Sequence, residues 1–290
     1  MKQPHTWGLA LSGGAARGLS GIGILEVLQQ EGFRPDYVSG SSMGAIVGAL
    51  FAMGHSCNTM RTIAESLHPL SIARVSTSPL SGGLHGGIFR QCLHEHLSEY
   101  LGTARIGDCH IPFVCIAGRV KEPIAWQRIL QDGFASYAST CIEKYIFPPS
   151  TLLIDAIMAS SAIPIVFSPV SIDGDTFVDL ITFGSIPARS LREQYHPTVL
   201  IGTDANASFD SFRRILPSSW RQFLEEGERE QERSRSECDL IIKPTIRYGQ
   251  YRFDKAVECI DAGNDAAQKA LPRIRALLAS AGITPSALQP

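Results

Sequence analysis

The fold is decided by Tyr37–Met53, which reads YVSGSSMGAIVGALFAM. A short apolar run enters a G-x-S-x-G motif and a longer apolar run leaves it, which predicts a strand, a very tight turn and a buried helix. Gly40 and Gly44 flank Ser42, and without Cβ atoms they let the backbone turn sharply and pack closely. Ser42 is therefore a candidate nucleophile at a helix N-terminus, where negative charge is favoured, although the motif alone also fits an ordinary turn.

A second glycine-rich turn lies near the start of the chain. The apolar run Trp7–Leu11 is followed by SGGAARG at Ser12–Gly18 and by apolar residues at helical spacing in Leu19–Gln30. Both turns should then lie at the same end of neighbouring parallel strands. Together they would offer the two parts of an acyl-transfer site, which are a hydroxyl nucleophile and backbone N–H donors for a developing oxyanion.

The composition is that of a globular protein. The chain has 290 residues, 44% of them hydrophobic, and a formal net charge of −2, so nucleic acid is not an expected partner. The sequence has no visible signal peptide or membrane span, and we expect a cytoplasmic or peripheral membrane location. Seven scattered cysteines without a C-x-x-C pair favour reduced thiols. No cluster of metal ligands is visible, so neither a metal nor another cofactor is expected.

Alternating strands and helices predict a three-layer α/β/α fold with a mostly parallel central sheet, in a single domain spanning residues 1–290. A hairpin is also predicted, because two apolar runs flank Asp173-Gly174 and the second run leads to Asp179. Pro69–Gly87 is a candidate lid or an ordinary surface loop. The runs expected to be neighbours in the sheet are Trp7–Leu11, Tyr37–Ser39, Ile111–Ala117, Thr198–Ile201 and Asp239–Lys243.

These segments, in this order, resemble the patatin-like phospholipases, chiefly the short bacterial members. Leu11–Gly18 is similar to the family's oxyanion loop, Gly40–Gly44 to its serine turn and Phe177–Asp179 to the strand with its catalytic aspartate. Ala159–Pro164 and Cys259–Gly263 also look like the family. The similarity covers nearly the whole chain, and it implies the predicted α/β/α fold.

The resemblance implies a serine–aspartate dyad, Ser42 and Asp179, that cleaves fatty-acyl esters of phospholipids or lysophospholipids. A carboxylate is a poor base in water, so Asp179 would need burial and close contact with the Ser42 hydroxyl. The substrate class implies peripheral, transient contact with a membrane. The residues expected to form the oxyanion hole are Gly13, Gly14, Ala15 and Arg17.

One departure from the family concerns the residues after Asp179. The family usually has glycine there, and this chain has Leu180 and Ile181. Branched side chains adopt positive φ poorly and occupy volume, so we expect a reshaped backbone or a narrowed acyl site. An alternative is therefore a weakened or inactive relative that binds lipid or a protein partner.

Two other enzyme or binding classes remain as alternatives from the motifs alone. An α/β-hydrolase also uses G-x-S-x-G but needs a later histidine, and the only one after Asp179 is His196. A nucleotide-binding module would use the glycine-rich loop for phosphate, but neither G-x-G-x-x-G with a later acid nor G-K-[ST] is present.

Overall fold

The computed structural model describes residues 5–66, 87–121, 141–163, 167–180, 186–206 and 218–285. Almost all of the candidate lid Pro69–Gly87 lies outside these residues, as does Ile181. Within the described residues, eight strands form one sheet, and no helix is both long and apolar enough to cross a membrane.

The strands run in the order β5-β6-β3-β2-β1-β7-β8, with β4 paired to the second half of β3. The neighbours among β3, β2, β1, β7 and β8 are parallel, whereas β4, β5 and β6 pair antiparallel. Their bounds are β1 Trp7–Leu11, β2 Tyr37–Gly40, β3 Phe113–Val120, β4 Ile142–Ile146, β5 Val170–Ile172, β6 Asp175–Val178, β7 Val199–Thr203 and β8 Leu240–Ile242.

Helices follow most of the parallel strands, as right-handed crossovers require. Short 3₁₀ turns cover Ala15–Leu19, Ile106–Asp108 and Phe253–Lys255. The helices are α1 Ser20–Gln30, α2 Met43–Ala52, α3 Cys57–Ser66, α4 Gly87–Leu101, α5 Leu153–Ser160, α6 Ala188–Tyr195, α7 Ser218–Ser236 and α8 Ala256–Ser280.

The predicted sheet is confirmed. All five predicted runs are adjacent parallel strands, and their observed ends differ from the predicted ones by at most three residues. The sequence did not predict β4, whose half-exposed residues include the charged pair Glu143 and Lys144. That strand pairs with β3, and its Ile142 and Ile146 side chains pack against the smaller of two cores.

Side-chain alternation along the strands produces two cores. Leu9, Leu11 and Ile201 face a large core built with α1, α2, α3, α4, α5 and α8. Ala10 and Leu200 face the opposite way, into a smaller core that includes residues of α6. The sheet is thus covered on both faces, which gives the three layers that the sequence predicted.

The terminal helix α8 crosses α1 at very close range. A Cβ atom on Gly23 would overlap the carbonyl oxygen of Ile260, and one on Gly263 would overlap that of Ser20. Only glycine permits this approach, which explains a glycine in the segment Cys259–Gly263. The crossing fixes the start of α1 and therefore the end of the glycine-rich loop that precedes it.

The predicted hairpin forms between β5 and β6. Asp173 and Gly174 both have positive φ, 52° and 88°, as the two central residues of a type I′ turn require. Ile172 pairs with Asp175 next to the turn. Strand β6 then leads to Asp179 at the end where it pairs with β3.

Candidate active site

Ser42 sits on a sharp turn between β2 and α2. Its φ and ψ are 53° and −126°, a conformation that L-residues adopt only under strain. A Cβ atom on Gly40 would overlap the Gly44 carbonyl oxygen, and one on Gly44 would overlap that of Leu11. The two glycines are therefore required by close backbone approach on either side of the strained serine.

The backbone of Ser42 is held by helix α5. The Ser42 N–H donates to the hydroxyl of Ser160, the last residue of α5, at 2.8 Å. Ser42 is only 7% exposed. The Ser160 hydroxyl also forms a hydrogen bond with the thiol of Cys115 on β3. Burial raises the pKa of that thiol well above its usual value, so Cys115 stays neutral. Ser160 lies in a segment that resembles the family, but the sequence indicates no contact for it.

The glycine-rich loop lies directly against Ser42. A Cβ atom on Gly13 would be 3.1 Å from Ser42 Cβ, so the two loops share one end of the sheet as the sequence predicted. Among the described residues, the N–H groups of Gly13, Gly14 and Ala15 have no hydrogen-bond acceptor. They are free to bind an anion beside the serine.

Arg17 differs from the other loop residues. Its N–H donates to the Gly14 carbonyl at 3.1 Å, so this donor is already used. Its side-chain Nε donates to the Ala205 carbonyl at 2.9 Å. Burial lowers the pKa of the guanidinium, and the nearby Cys259 and Asp204 oppose that shift. Arg17 therefore fastens the loop to the residues that follow β7.

Asp179 lies at the same end of α5 as Ser42. The residue is 4% exposed, and its N–H donates to the Ala162 carbonyl at 2.8 Å. Ala162 lies two residues after Ser160, so one short segment binds the backbones of both Ser42 and Asp179. The fold thereby gathers two residues that are far apart in sequence.

A connection before α8 borders this region. The Gln250 carbonyl accepts the Ala16 N–H at 2.8 Å, which joins the connection to the glycine-rich loop. The pKa of Tyr251 is raised chiefly by burial; a hydrogen bond with Gln250 opposes this shift, and the charge of Asp179 adds to it. Tyr251 is nevertheless 53% exposed to solvent.

The side chain of Leu180 does not lie where the sequence suggested. Its side chain is 7% exposed and packs into the smaller core with Ala10, Ile116 and Ile186. The volume of Leu180 therefore belongs to the core on the α6 face, which contradicts a narrowing of the acyl site by this side chain, whereas a narrowing by Ile181 stays a prediction.

His196 lies far from the candidate nucleophile. It ends α6 with a φ of 49°, just before β7, where Thr198 N–H donates to the Thr6 carbonyl at 2.8 Å. His196 therefore lies at the end of the sheet where β1 and β7 begin, whereas Ser42 lies at the opposite end, where the parallel strands finish. A triad with His196 is excluded by this placement.

No group of three or more histidine, cysteine, aspartate or glutamate side chains in the described ranges is arranged to hold a metal ion. The contacts that sequence reasoning missed come from Ser160, Thr203, Ala205 and Gln250. Each acts through a hydroxyl or a backbone group, and only Ser160 lies in a segment that the sequence had marked.

Comparison with known proteins gives a consistent family. The model of the patatin-like phospholipase family matches residues 9–191. Patatin-like phospholipase domain-containing protein 6 of Homo sapiens is 24% identical over 74% of this chain, and lysophospholipase NTE1 of Kluyveromyces lactis is 31% identical over 44%. An NTE family protein of Mycobacterium tuberculosis is 29% identical over 59% of this chain. The matches span 15%, 9% and 41% of those relatives' own lengths.

The fold agrees with a solved structure of very different sequence. VipD from Legionella pneumophila superposes with a TM-score of 0.53 at 14% identity, over 93% of this chain and 67% of that one. The family model covers more than half of the chain and includes the glycine-rich loop, the serine turn and Asp179. The chain belongs to the patatin-like phospholipase family.

Proposed function

We propose that this protein is a serine acyl hydrolase that cleaves fatty-acyl esters of phospholipids, lysophospholipids or related lipids. One observation carries the proposal. Ser42 and Asp179 are both hydrogen-bonded through their backbones to the segment Ser160–Ala162, and Gly13 lies against Ser42. A hydroxyl, a buried carboxylate and unpaired N–H donors are the parts that acyl transfer requires.

The reaction follows from these parts. Asp179 takes the proton of the Ser42 hydroxyl while the oxygen attacks the ester carbonyl carbon. The resulting oxyanion accepts hydrogen bonds from N–H groups of Gly13, Gly14 and Ala15. Collapse of the tetrahedral intermediate breaks the ester bond, and the leaving alcohol receives the proton from Asp179. Water, deprotonated by Asp179, then attacks the acyl–Ser42 ester, the bond to the Ser42 oxygen breaks as the fatty acid leaves, and Asp179 returns its proton to that oxygen.

Arg17 serves this reaction through its side chain. Because its N–H is used by the Gly14 carbonyl, it is not a fourth backbone donor. Its contact with the Ala205 carbonyl holds the turn in which Gly14 and Ala15 have positive φ, 126° and 49°. Such a turn points successive N–H groups to one side, as anion-binding nests do.

The substrate class is supported by the family and by the name lysophospholipase on one relative. A lipid ester substrate requires peripheral and transient contact with a membrane or micelle surface, with no role for nucleic acid. We propose that neither metal nor another cofactor takes part. The steric reason for an inactive lipid-binding relative no longer applies at Leu180, whose side chain lies in the core.

The test combines probe labelling with lipid turnover. A fluorophosphonate probe should label Ser42 in the wild-type protein, and the same protein should release fatty acid from lysophosphatidylcholine micelles. Ser42→Ala should abolish both. Ser41→Ala, the adjacent buried serine, is the matched control and should still be labelled. Undiminished fatty-acid release by Ser42→Ala would refute the assignment.

A further inference from the structure

Asp204 is a fully buried carboxylate immediately after β7. Its side chain has 0% exposure, and its Oδ1 accepts hydrogen bonds from the backbone N–H and side-chain amide of Asn206 at 3.2 and 3.1 Å. A buried charge is costly unless it is paired and hydrogen-bonded. The chemistry proposed for Ser42 and Asp179 does not use this carboxylate.

Two cations approach the other carboxylate oxygen. Arg235 near the end of α7 donates to Asp204 Oδ2 from Nε at 3.0 Å and from Nη2 at 2.6 Å. Lys243 Nζ lies 3.7 Å from the same oxygen. Lys243 is 62% exposed and Arg235 is 29% exposed, so Arg235 is the closer and better desolvated partner. Arg235 Nη1 also donates to Glu232 Oε2 at 2.9 Å.

Ala205, the residue after Asp204, forms hydrogen bonds near both ends of the glycine-rich loop. Ala205 N–H donates to the Ser12 hydroxyl at 2.9 Å, and its carbonyl accepts from Arg17 Nε at 2.9 Å. Thr203 Oγ1, on the other side of Asp204, accepts the Ser12 N–H at 2.9 Å. The N–H groups of Gly13, Gly14 and Ala15, which have no acceptor in the part of the chain that the structure describes, lie between these two attachments.

We infer that Asp204 and Arg235 are positioning residues for oxyanion binding. Their ion pair fixes the turn Thr203–Asn206, and this turn fixes Ser12 and Arg17 and so the direction of the N–H groups between them. The inference rests on the proposed function for its kinetic consequence. Donors aimed at a developing charge lose much of their effect when displaced by about 1 Å, which costs up to about 100-fold in rate.

Arg235→Gln is the decisive variant. We expect kcat for a soluble short-chain ester to fall about 10–100-fold with KM changed less than about twofold, because substrate still binds while the oxyanion is poorly held. Arg235→Lys keeps the charge and should recover most of kcat. Arg233→Gln is the control, since Arg233 lies on the same helix, is 78% exposed and pairs only at 3.5 Å with Glu230.

A purely structural role predicts something different. The variants would then unfold at lower temperature, but the folded fraction at a low assay temperature would keep the wild-type kcat. Asp204→Asn combined with Arg235→Gln removes both charges, so no unpaired buried charge remains to prevent folding. This double variant should also show reduced kcat with unchanged KM. Wild-type kcat in folded Arg235→Gln or in the folded double variant overturns the inference.

A second readout does not depend on catalysis. Amide hydrogen exchange of the peptide Ser12–Leu19 should be at least about fivefold faster in Arg235→Gln than in the wild type, because opening of the turn frees the Ser12 N–H from Thr203 Oγ1 and releases the Arg17 side chain that holds the loop. Arg233→Gln should leave it unchanged. If the wild type is inactive but the exchange changes as expected, the proposed function fails, whereas the inference that the Asp204–Arg235 pair positions the glycine-rich loop stands. Unchanged exchange overturns that inference.

Discussion

The serine turn and the aspartate strand bring the two candidate catalytic side chains to one place by different means. Ser42 is held by a hydrogen bond from its N–H to the Ser160 hydroxyl and by close backbone contacts with nearby residues and strand β1, which no residue with a Cβ at positions 40 and 44 permits. Asp179 has no such constraint and does not have a positive φ. A hydrogen bond from its N–H to the Ala162 carbonyl and the burial of the adjacent Leu180 contribute to its position.

This difference explains why the serine turn can be predicted from the sequence alone and the position of Asp179 cannot. A close backbone approach demands glycine, so it leaves a pattern of small residues at fixed spacing. A backbone hydrogen bond such as that of Asp179 demands no residue type. The candidate nucleophile Ser42 can therefore be located from its own neighbours, whereas the candidate base Asp179 can be located only through the family or the fold.

The largest effect should come from Gly44→Ala. The new methyl group would overlap the Leu11 and Ser12 carbonyl oxygens, and we expect a loss of at least about 4 kcal/mol of unfolding free energy. Gly249→Ala is the control, because its Cβ would meet nothing closer than Arg252 Cγ at 4.0 Å, and it should change stability by less than about 1 kcal/mol. Chemical denaturation measures both. A well-folded Gly44→Ala protein would show that the serine turn is not sterically fixed.

Leu180→Ala tests the aspartate side. Removal of this buried side chain should cost about 2–4 kcal/mol of unfolding free energy. At a temperature where the protein stays folded, probe labelling of Ser42 should remain within about threefold of the wild type, because the side chain faces the core and not the acyl site. A large gain in ester turnover with unchanged stability would instead restore the view that Leu180 obstructs the substrate.

Ser42→Gly measures the strain stored at the serine turn. Glycine adopts the observed φ of 53° without penalty, and this relief should exceed its larger unfolded-state entropy, for a net gain of about 1 kcal/mol. The melting temperature should rise by about 2 °C while all activity is lost. Ser42→Ala keeps the strain and should melt within about 1 °C of the wild type. Equal melting temperatures for the two variants would mean that the turn is relaxed.

The smallest effect is expected for His196→Asn. Asparagine tolerates the left-handed conformation seen at this position, so stability should change by less than about 0.5 kcal/mol. Because His196 lies at the opposite edge of the sheet, kcat should stay within about twofold of the wild type. A loss of two orders of magnitude would reopen the α/β-hydrolase triad.

The sequence predicted the parallel half of the sheet well because its strands are continuous apolar runs, as in β1 and β7. It did not predict β4, whose mixed polarity has no strand period of its own. The sequence also could not predict which core the Leu180 side chain enters, because that depends on how β6, which leads to Leu180, pairs with β3. Likewise, the contacts of Ser160 and Ala205 with the two candidate active-site loops join residues more than one hundred positions apart in sequence, through hydroxyl and backbone groups that any fold uses.

The acyl–enzyme itself provides the most direct test of the Ser42–Asp179 pair. Wild-type protein mixed with a short-chain p-nitrophenyl ester and quenched in acid should carry the acyl mass on the peptide that contains Ser42. In Asp179→Asn, which keeps the shape of the side chain, loss of the base should slow formation of that adduct about 10²–10⁴-fold while the fold persists. Full-rate turnover by Asp179→Asn, or an acyl group on any residue other than Ser42, would contradict the account.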